Sequence, residues 1–105
     1  MHNTLARLEA VIAERRTASA DNSYVSSLFA KGREKIAQKV GEEATETVIA
    51  ALSGDPVKLT AEAADLVFHL MVLLADGNVA MDDVLAELDR RDGVSGLEEK
   101  ASRPA

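Results

Sequence analysis

Glu42-Glu43-Ala44-Thr45-Glu46, then Ser53-Gly54-Asp55-Pro56, then Glu62-Ala63-Ala64-Asp65 occupy the middle of the chain, and their spacing decides the fold. The central segment reads as a tight turn, with Asp55 an N-cap and Pro56 in the first helical turn. With Gly54 as the pivot of an antiparallel helical hairpin, Glu46 and Glu62 each lie eight residues away, and Glu43 and Asp65 each lie eleven. Residues equidistant from such a turn face one another. Within each helix the i, i+3 spacing puts both acids on one side, about 4.5 Å apart along the axis. Four converging carboxylates repel unless something positive holds them, so the pattern calls for a cation.

Outward from the hairpin, the pattern is helical throughout. Helices are expected over residues 4–16, capped by Asn3 or Thr4, and over 24–30, capped by Ser23. Further helices are expected over 33–52, 56–76 and 81–91. Leu5, Leu8, Val11 and Ile12 form an apolar face on the first, Val25, Leu28 and Phe29 on the second, and Val84, Leu85 and Leu88 on the fifth. The third has an inner row of Ile36, Val40, Thr47 and Ala51, with Val48 and Leu52 beside it. Glu43 falls on that row, where an acid needs a purpose. Lys35, Lys39, Glu42 and Glu46 form the adjoining strip. Gly41, inside the helix, is expected to admit another backbone. The fourth helix has Leu59, Ala63, Leu66, Leu70 and Leu73 as its inner row. Phe68, Met71 and Ala75 make the other side apolar too, so the helix should be buried on several sides. Residues 17–23 read as a loop and 93–105 as a flexible tail.

The bulk numbers fit one all-α domain over residues 1–105. The chain is 47% hydrophobic but only 3% aromatic, which leaves Leu, Val, Ile and Ala to build the interior. An antiparallel bundle this small commonly completes its core by dimerising. A net charge of −6 argues against nucleic-acid binding. The absence of cysteine removes disulfides, thiolate metal sites and cysteine nucleophiles. Residues 1–16 lack the apolar stretch of a signal peptide, and the longest apolar run, 66–75, is too short to span a bilayer. The expected location is cytoplasmic.

Hard carboxylate donors without cysteine favour Mg²⁺, with Mn²⁺ as the alternative. Lys35 and Lys39 stand beside the acids, either as their partners or as contacts for substrate phosphate. An exposed face neutralised by Lys35, Lys39 and Lys58 is the plain alternative, and the inward phase of Glu43 counts against it. A di-iron bundle would want a Glu-x-x-His motif on two helices, and only Glu62-x-x-Asp65 stands on the fourth. His69, on the same strip as Glu62 and Asp65, reads as a hydrogen-bonded core or supporting group rather than a ligand. Tyr24 reads as a packing residue more than a purine stack.

The acidic motif resembles the all-α nucleoside-triphosphate pyrophosphohydrolases, the MazG-like and dimeric dUTPase group. Further segments resemble one branch, the phosphoribosyl-ATP pyrophosphohydrolases of histidine biosynthesis. These are Ser23-Tyr24 with Leu28 and Gly32, then Lys39-Val40-Gly41-Glu42-Glu43-Ala44-x-Glu46. Ala63-Ala64-Asp65-Leu66-Val67-Phe68-His69-Leu70 and Ser95-Gly96-Leu97-Glu98-Glu99-Lys100-Ala101-Ser102-Arg103 complete the likeness. The resemblance implies Mg²⁺-dependent hydrolysis of 1-(5-phospho-β-D-ribosyl)-ATP to the AMP compound and pyrophosphate by a homodimer. It implies Glu43, Glu46, Glu62 and Asp65 as metal ligands, with Glu42 as an outer acid or water-orienting base, so that Glu42, Glu43 and Glu46 are the catalytic set. Lys39, with Lys35, would contact substrate phosphate. The rival functions are a house-cleaning nucleoside-triphosphate pyrophosphatase on the same fold and a non-catalytic metal-binding helical dimer.

Overall fold

Five helices follow in order in the computed structural model, which describes residues 3–19 and 23–92. They are α1 (Thr4–Arg16), α2 (Tyr24–Lys31), α3 (Arg33–Leu52), α4 (Pro56–Asp76) and α5 (Met81–Arg91). No strand occurs among the described residues. The fold is all-α, as the periodicity requires. The tail expected over 93–105 and residues 20–22 of the expected loop lie outside the described residues.

Local chemistry sets the helix ends. Asp55 Oδ1 accepts from the Val57 amide at 2.9 Å and the Lys58 amide at 3.4 Å, opening α4 directly behind Pro56. Gly54 turns the chain between α3 and α4 at φ +77°, where L side chains are strained. Gly32, at φ +97°, both closes α2 and opens α3. Ser23 Oγ accepts from the Ser26 amide at 3.0 Å, and Ser26 Oγ donates to the Arg15 carbonyl at 3.0 Å, which ties α2 to the end of α1. Asn3 precedes α1 but makes no side-chain cap; its backbone carbonyl accepts from Arg7 instead. Ala80 cannot cap α5, and Glu9 of α1 supplies the missing acceptor, 2.7 Å from the Met81 amide. Two arginines close the other end of α4. Arg16 donates to the Ala75 carbonyl and to Asn78 Oδ1, and Arg33 pairs with the Asp76 carboxylate at 2.7 Å.

The α3–α4 hairpin is the spine, and α1 and α2 pack against one half of it. Ile12, Val25, Leu28, Ile36, Met71 and Val72 form the core, flanked by Leu8, Phe29, Phe68, Leu73, Ala75 and Met81. Each of the fully enclosed side chains Ile12, Leu28, Ile36 and Val72 contributes about 1.5–3 kcal/mol. All of these core positions on the spine lie toward the start of α3 and the end of α4.

The tip half of the hairpin differs from the expected inner rows. On α3 the buried stripe is Ile36, Glu43 and Ala50, while Val48, Ile49 and Leu52 are 59%, 62% and 83% exposed. On α4 the buried residues are His69, Met71 and Val72, and Leu59 and Leu70 are more than one-third exposed. The cause is geometric. A helix apolar on most sides has no unique inward face, and here the small core takes the stripe that meets α1 and α2. None of the helices is long and apolar enough to cross a membrane.

Gly41 also departs from expectation. It is exposed, and a Cβ built there meets nothing within 4 Å, so nothing among the described residues uses the close approach it permits. Gly41→Ala should therefore raise stability by about 0.5–1 kcal/mol, the ordinary helical gain. In thermal denaturation that is an increase of roughly 2–8 °C. A fall in melting temperature would reveal a neighbour pressed against this position.

Candidate metal centre

One carboxylate from α3 and two from α4 meet midway along the hairpin. Oxygens of Glu43, Glu62 and Asp65 lie within 4.8 Å of one another. Glu43 is placed there by phase: it follows Ile36 by seven residues and precedes Ala50 by seven, so all three share the buried stripe. Thr47 holds the two backbones at this level. Its hydroxyl lies 2.8 Å from the Glu43 carbonyl and 3.2 Å from the Glu62 carbonyl, and its one proton is shared between them. The sequence pattern placed Thr47 on the inner row, but nothing in it announced this bond across the hairpin.

The electrostatics of the cluster are unfavourable without a counter-charge. At such distances each like-charged pair costs roughly 1 kcal/mol in water and 3 kcal/mol at an effective dielectric of 20. Glu43 Oε2 and Glu62 Oε2 are buried and accept no hydrogen bond. Buried carboxylate oxygens are normally satisfied, so an orphan on each of two clustered acids fits coordination to a cation. The donors are hard oxygens, and no cysteine or histidine belongs to the cluster. A divalent ion of the Mg²⁺ or Mn²⁺ type fits that set better than zinc or copper.

The remaining expected site residues border this cluster. Glu46 is exposed and stands outside the three-acid group; with Glu62, Ile49, Ala50, Ser53 and Lys58 it lines a recess beside it. Glu42 is exposed and accepts from Gln38 Nε2 at 2.9 Å. Lys39 Nζ lies 3.4 Å from Glu42 Oε1 and 3.7 Å from Glu43 Oε1, bridging the outer and the buried acid. The Gln38 bond holds the Glu42 carboxyl below the usual carboxylate range, with the Lys39 bond next and the charge of Lys35 adding less. The bond to Glu42 in turn raises Lys39 above the ordinary lysine value, with smaller contributions from Tyr24 and Glu43 and an opposing one from desolvation. Lys35 is exposed on the same strip.

His69 is buried and uses both ring nitrogens. Nδ1 lies 2.7 Å from the Asp65 carbonyl and Nε2 lies 2.8 Å from the Tyr24 hydroxyl. A carbonyl only accepts, so Nδ1 carries a proton, and in that tautomer Nε2 accepts from the Tyr24 hydroxyl. His69 is thus a hydrogen-bonded core group outside the three-acid cluster, one of the two places its position on a greasy helix suggested. Tyr24 packs, as expected, with its ring inclined 22° to that of Phe68 at a centroid distance of 6.3 Å. Its bond to His69 left no trace in the spacing, because the two residues are 45 positions apart.

Comparison with known proteins gives the constellation a context. Residues 5–92 match the family described as phosphoribosyl-ATP pyrophosphohydrolase. A phosphoribosyl-ATP pyrophosphatase of Rhizorhabdus wittichii is 65% identical over 104 residues, covering 99% of this chain and 98% of that protein. The Novosphingobium aromaticivorans protein of that name is 67% identical over 99 residues, covering 94% of this chain and 92% of the relative. One from Methylococcus capsulatus is 56% identical over 101 residues, 96% of each chain. With a family match across nearly all the described helices and full-length relatives well above half identical, the chain belongs to the phosphoribosyl-ATP pyrophosphohydrolase family.

Proposed function

We propose that this protein hydrolyses 1-(5-phospho-β-D-ribosyl)-ATP to the corresponding AMP compound and pyrophosphate, the second step of histidine biosynthesis. The observation that carries this is the meeting of Glu43, Glu62 and Asp65, with two orphaned buried oxygens, in a chain of this family. We assign Mg²⁺, with Mn²⁺ able to replace it, to Glu43, Glu62 and Asp65, with Glu46 at the rim as the fourth ligand. When bound, the ion would neutralise phosphate charge and make a coordinated water more acidic.

The chain's own residues supply the rest. Lys39, held in its ammonium form beside the acids, donates to phosphate oxygens and stabilises charge growing on the departing pyrophosphate. Lys35, one turn earlier on the same strip, extends that positive edge. Glu42 is exposed and ionised over the neutral range, so it accepts a hydrogen bond from a water and orients it. A carboxyl held below its usual range keeps a proton poorly, which makes orientation its stronger contribution. Catalysis in this scheme rests on Glu42, Glu43 and Glu46 along one edge of α3.

The exposed Val48, Ile49, Leu52 and Val57 support a homodimer, because together they leave the hairpin tip with an apolar surface that the described residues do not cover. The net charge of −6 supports a small-molecule substrate over nucleic acid, and the family's biosynthetic role supports a cytoplasmic location.

Purified protein with Mg²⁺ should release pyrophosphate from phosphoribosyl-ATP and far more slowly from a panel of nucleoside triphosphates. Release from the panel alone would assign the house-cleaning activity instead, and release from neither would leave a metal-binding dimer. Glu43→Gln and Asp65→Asn should each lower kcat by about 100-fold or more, since coordination is worth several kcal/mol to the transition state. Their circular dichroism should remain helical. Near-normal turnover at limiting Mg²⁺ in either variant would remove that residue from the ligand set.

Lys39 also sets a pH dependence with a definite sign. Its raised pKa keeps the ammonium charged further into alkali, so KM should stay flat to about pH 9 and rise above the ordinary lysine range near 10.4. Lys39→Met should show an elevated KM that does not change over that interval. A KM that climbs between pH 7 and 9 in the wild type, and equally in the variant, would exclude Lys39 as the group responsible.

A further inference from the structure

A polar chain runs from the half-exposed Tyr24, the first residue of α2, through the buried His69 to the acid-bearing turn of α4. The Tyr24 hydroxyl lies 2.8 Å from His69 Nε2, and His69 Nδ1 lies 2.7 Å from the backbone carbonyl of Asp65. The imidazole is 5% exposed and is enclosed edge-on by the Tyr24 ring at 5.7 Å and the Phe68 ring at 5.2 Å. A leucine would fill this volume without a polar group to satisfy. A buried imidazole is tolerated here because both nitrogens are bonded, and such a satisfied pair fixes one relative placement of the elements it joins.

The placement bears on the metal centre. Asp65 is the acid whose own carbonyl is held by His69, and it meets Glu43 and Glu62 across the hairpin. α2 therefore reaches the carboxylate side of the site through His69. Core packing alone would seat α2 through Val25 and Leu28, which are buried in the main cluster. It would not need a hydroxyl aimed at the one nitrogen that the Asp65 turn leaves over.

We propose that Tyr24 and His69 are positioning residues for the hydrolytic site: their hydrogen bonds hold the Asp65 turn of α4 at the depth where its carboxylate joins those of Glu43 and Glu62. The inference rests on the metal-binding role assigned to those acids. Neither residue touches the ion or the phosphates; both act through Asp65. Outer groups of this kind typically change metal affinity or activity by about 10–100-fold when removed.

The test measures the ion directly, apart from turnover. Mn²⁺ alone is titrated into the full chain and followed by electron paramagnetic resonance, for the wild type, Tyr24→Phe, His69→Leu and the double variant. Ser26→Ala is the control; it loses a buried bond that seats α2 on α1 without touching His69. Tyr24→Phe and His69→Leu should each weaken Mn²⁺ binding by about 10-fold or more, and the double variant should be no weaker than the worse single one. In assays with saturating Mg²⁺, the two variants should recover most of the wild-type kcat with little change in substrate KM. Ser26→Ala should bind Mn²⁺ as the wild type does, even if its melting temperature falls. A folded Tyr24→Phe with wild-type Mn²⁺ affinity would overturn the positioning role while leaving the metal centre intact. Equal weakening in Ser26→Ala would reduce Tyr24 to general stability and overturn it too. A wild type that binds no Mn²⁺ would remove the metal reading and this inference with it.

Discussion

The convergence of Glu43, Glu62 and Asp65 across one hairpin is the constraint around which the molecule is arranged. Three acids within 4.8 Å work against the pairing of the two helices that carry them. The hairpin must be held by other means, and the structure shows three. The Asp55–Pro56 cap sets where α4 begins, and thereby its register against α3. Thr47 joins the carbonyls of Glu43 and Glu62 beside the acids. Ile36, Met71 and Val72 clamp the far half of the pair into the shared core. Lys39 offsets part of the remaining repulsion from the α3 side, at 3.7 Å from Glu43.

The small helices complete this division of labour. α1 and α2 cover the half of the spine distant from the turn, and their ends are tied by polar bonds that replace weak intrinsic caps. Glu9 supplies the acceptor Ala80 lacks at the start of α5, and Arg16 and Arg33 take up carbonyls where α4 stops. Such tertiary caps matter in a chain of this size, because a few enclosed side chains worth about 1.5–3 kcal/mol each leave little margin against conformational entropy.

The five helices and their boundaries were legible in the sequence because their ends depend on neighbouring residues: Ser23, Gly32, Gly54, Asp55 and Pro56 act locally. Glu43 was legible as an anomaly, an acid on an apolar stripe, and it is buried. The orientation of the longer helices was not. On α4, Leu59 and Leu70 made as good an inner row as Met71 and Val72, and only contact with α1 and α2 decides between them. Bonds such as Glu9 to Met81 and Tyr24 to His69 join residues far apart in the chain, where no periodicity can register them.

The mirror spacing shows how far a symmetry argument reaches. Equal distances from Gly54 put Glu43 with Asp65 and Glu46 with Glu62 at matching heights, and height is what a hairpin fixes. Azimuth is a separate quantity. Glu46 lines the recess instead of joining the group, although Glu62 and Asp65, also three residues apart, both join it. Glu62 faces both, meeting Glu43 inside and lining the recess beside Glu46. Three acids thus meet, from the buried Glu43 to the exposed Asp65, with Glu46 on the recess beside them, and Ile49, with Val48 and Leu52 close by on α3, continues the same edge as exposed apolar surface. On the dimer reading, a second copy covering that edge would lie beside Glu46, so an acid exposed in its own chain is one that a partner's approach would affect.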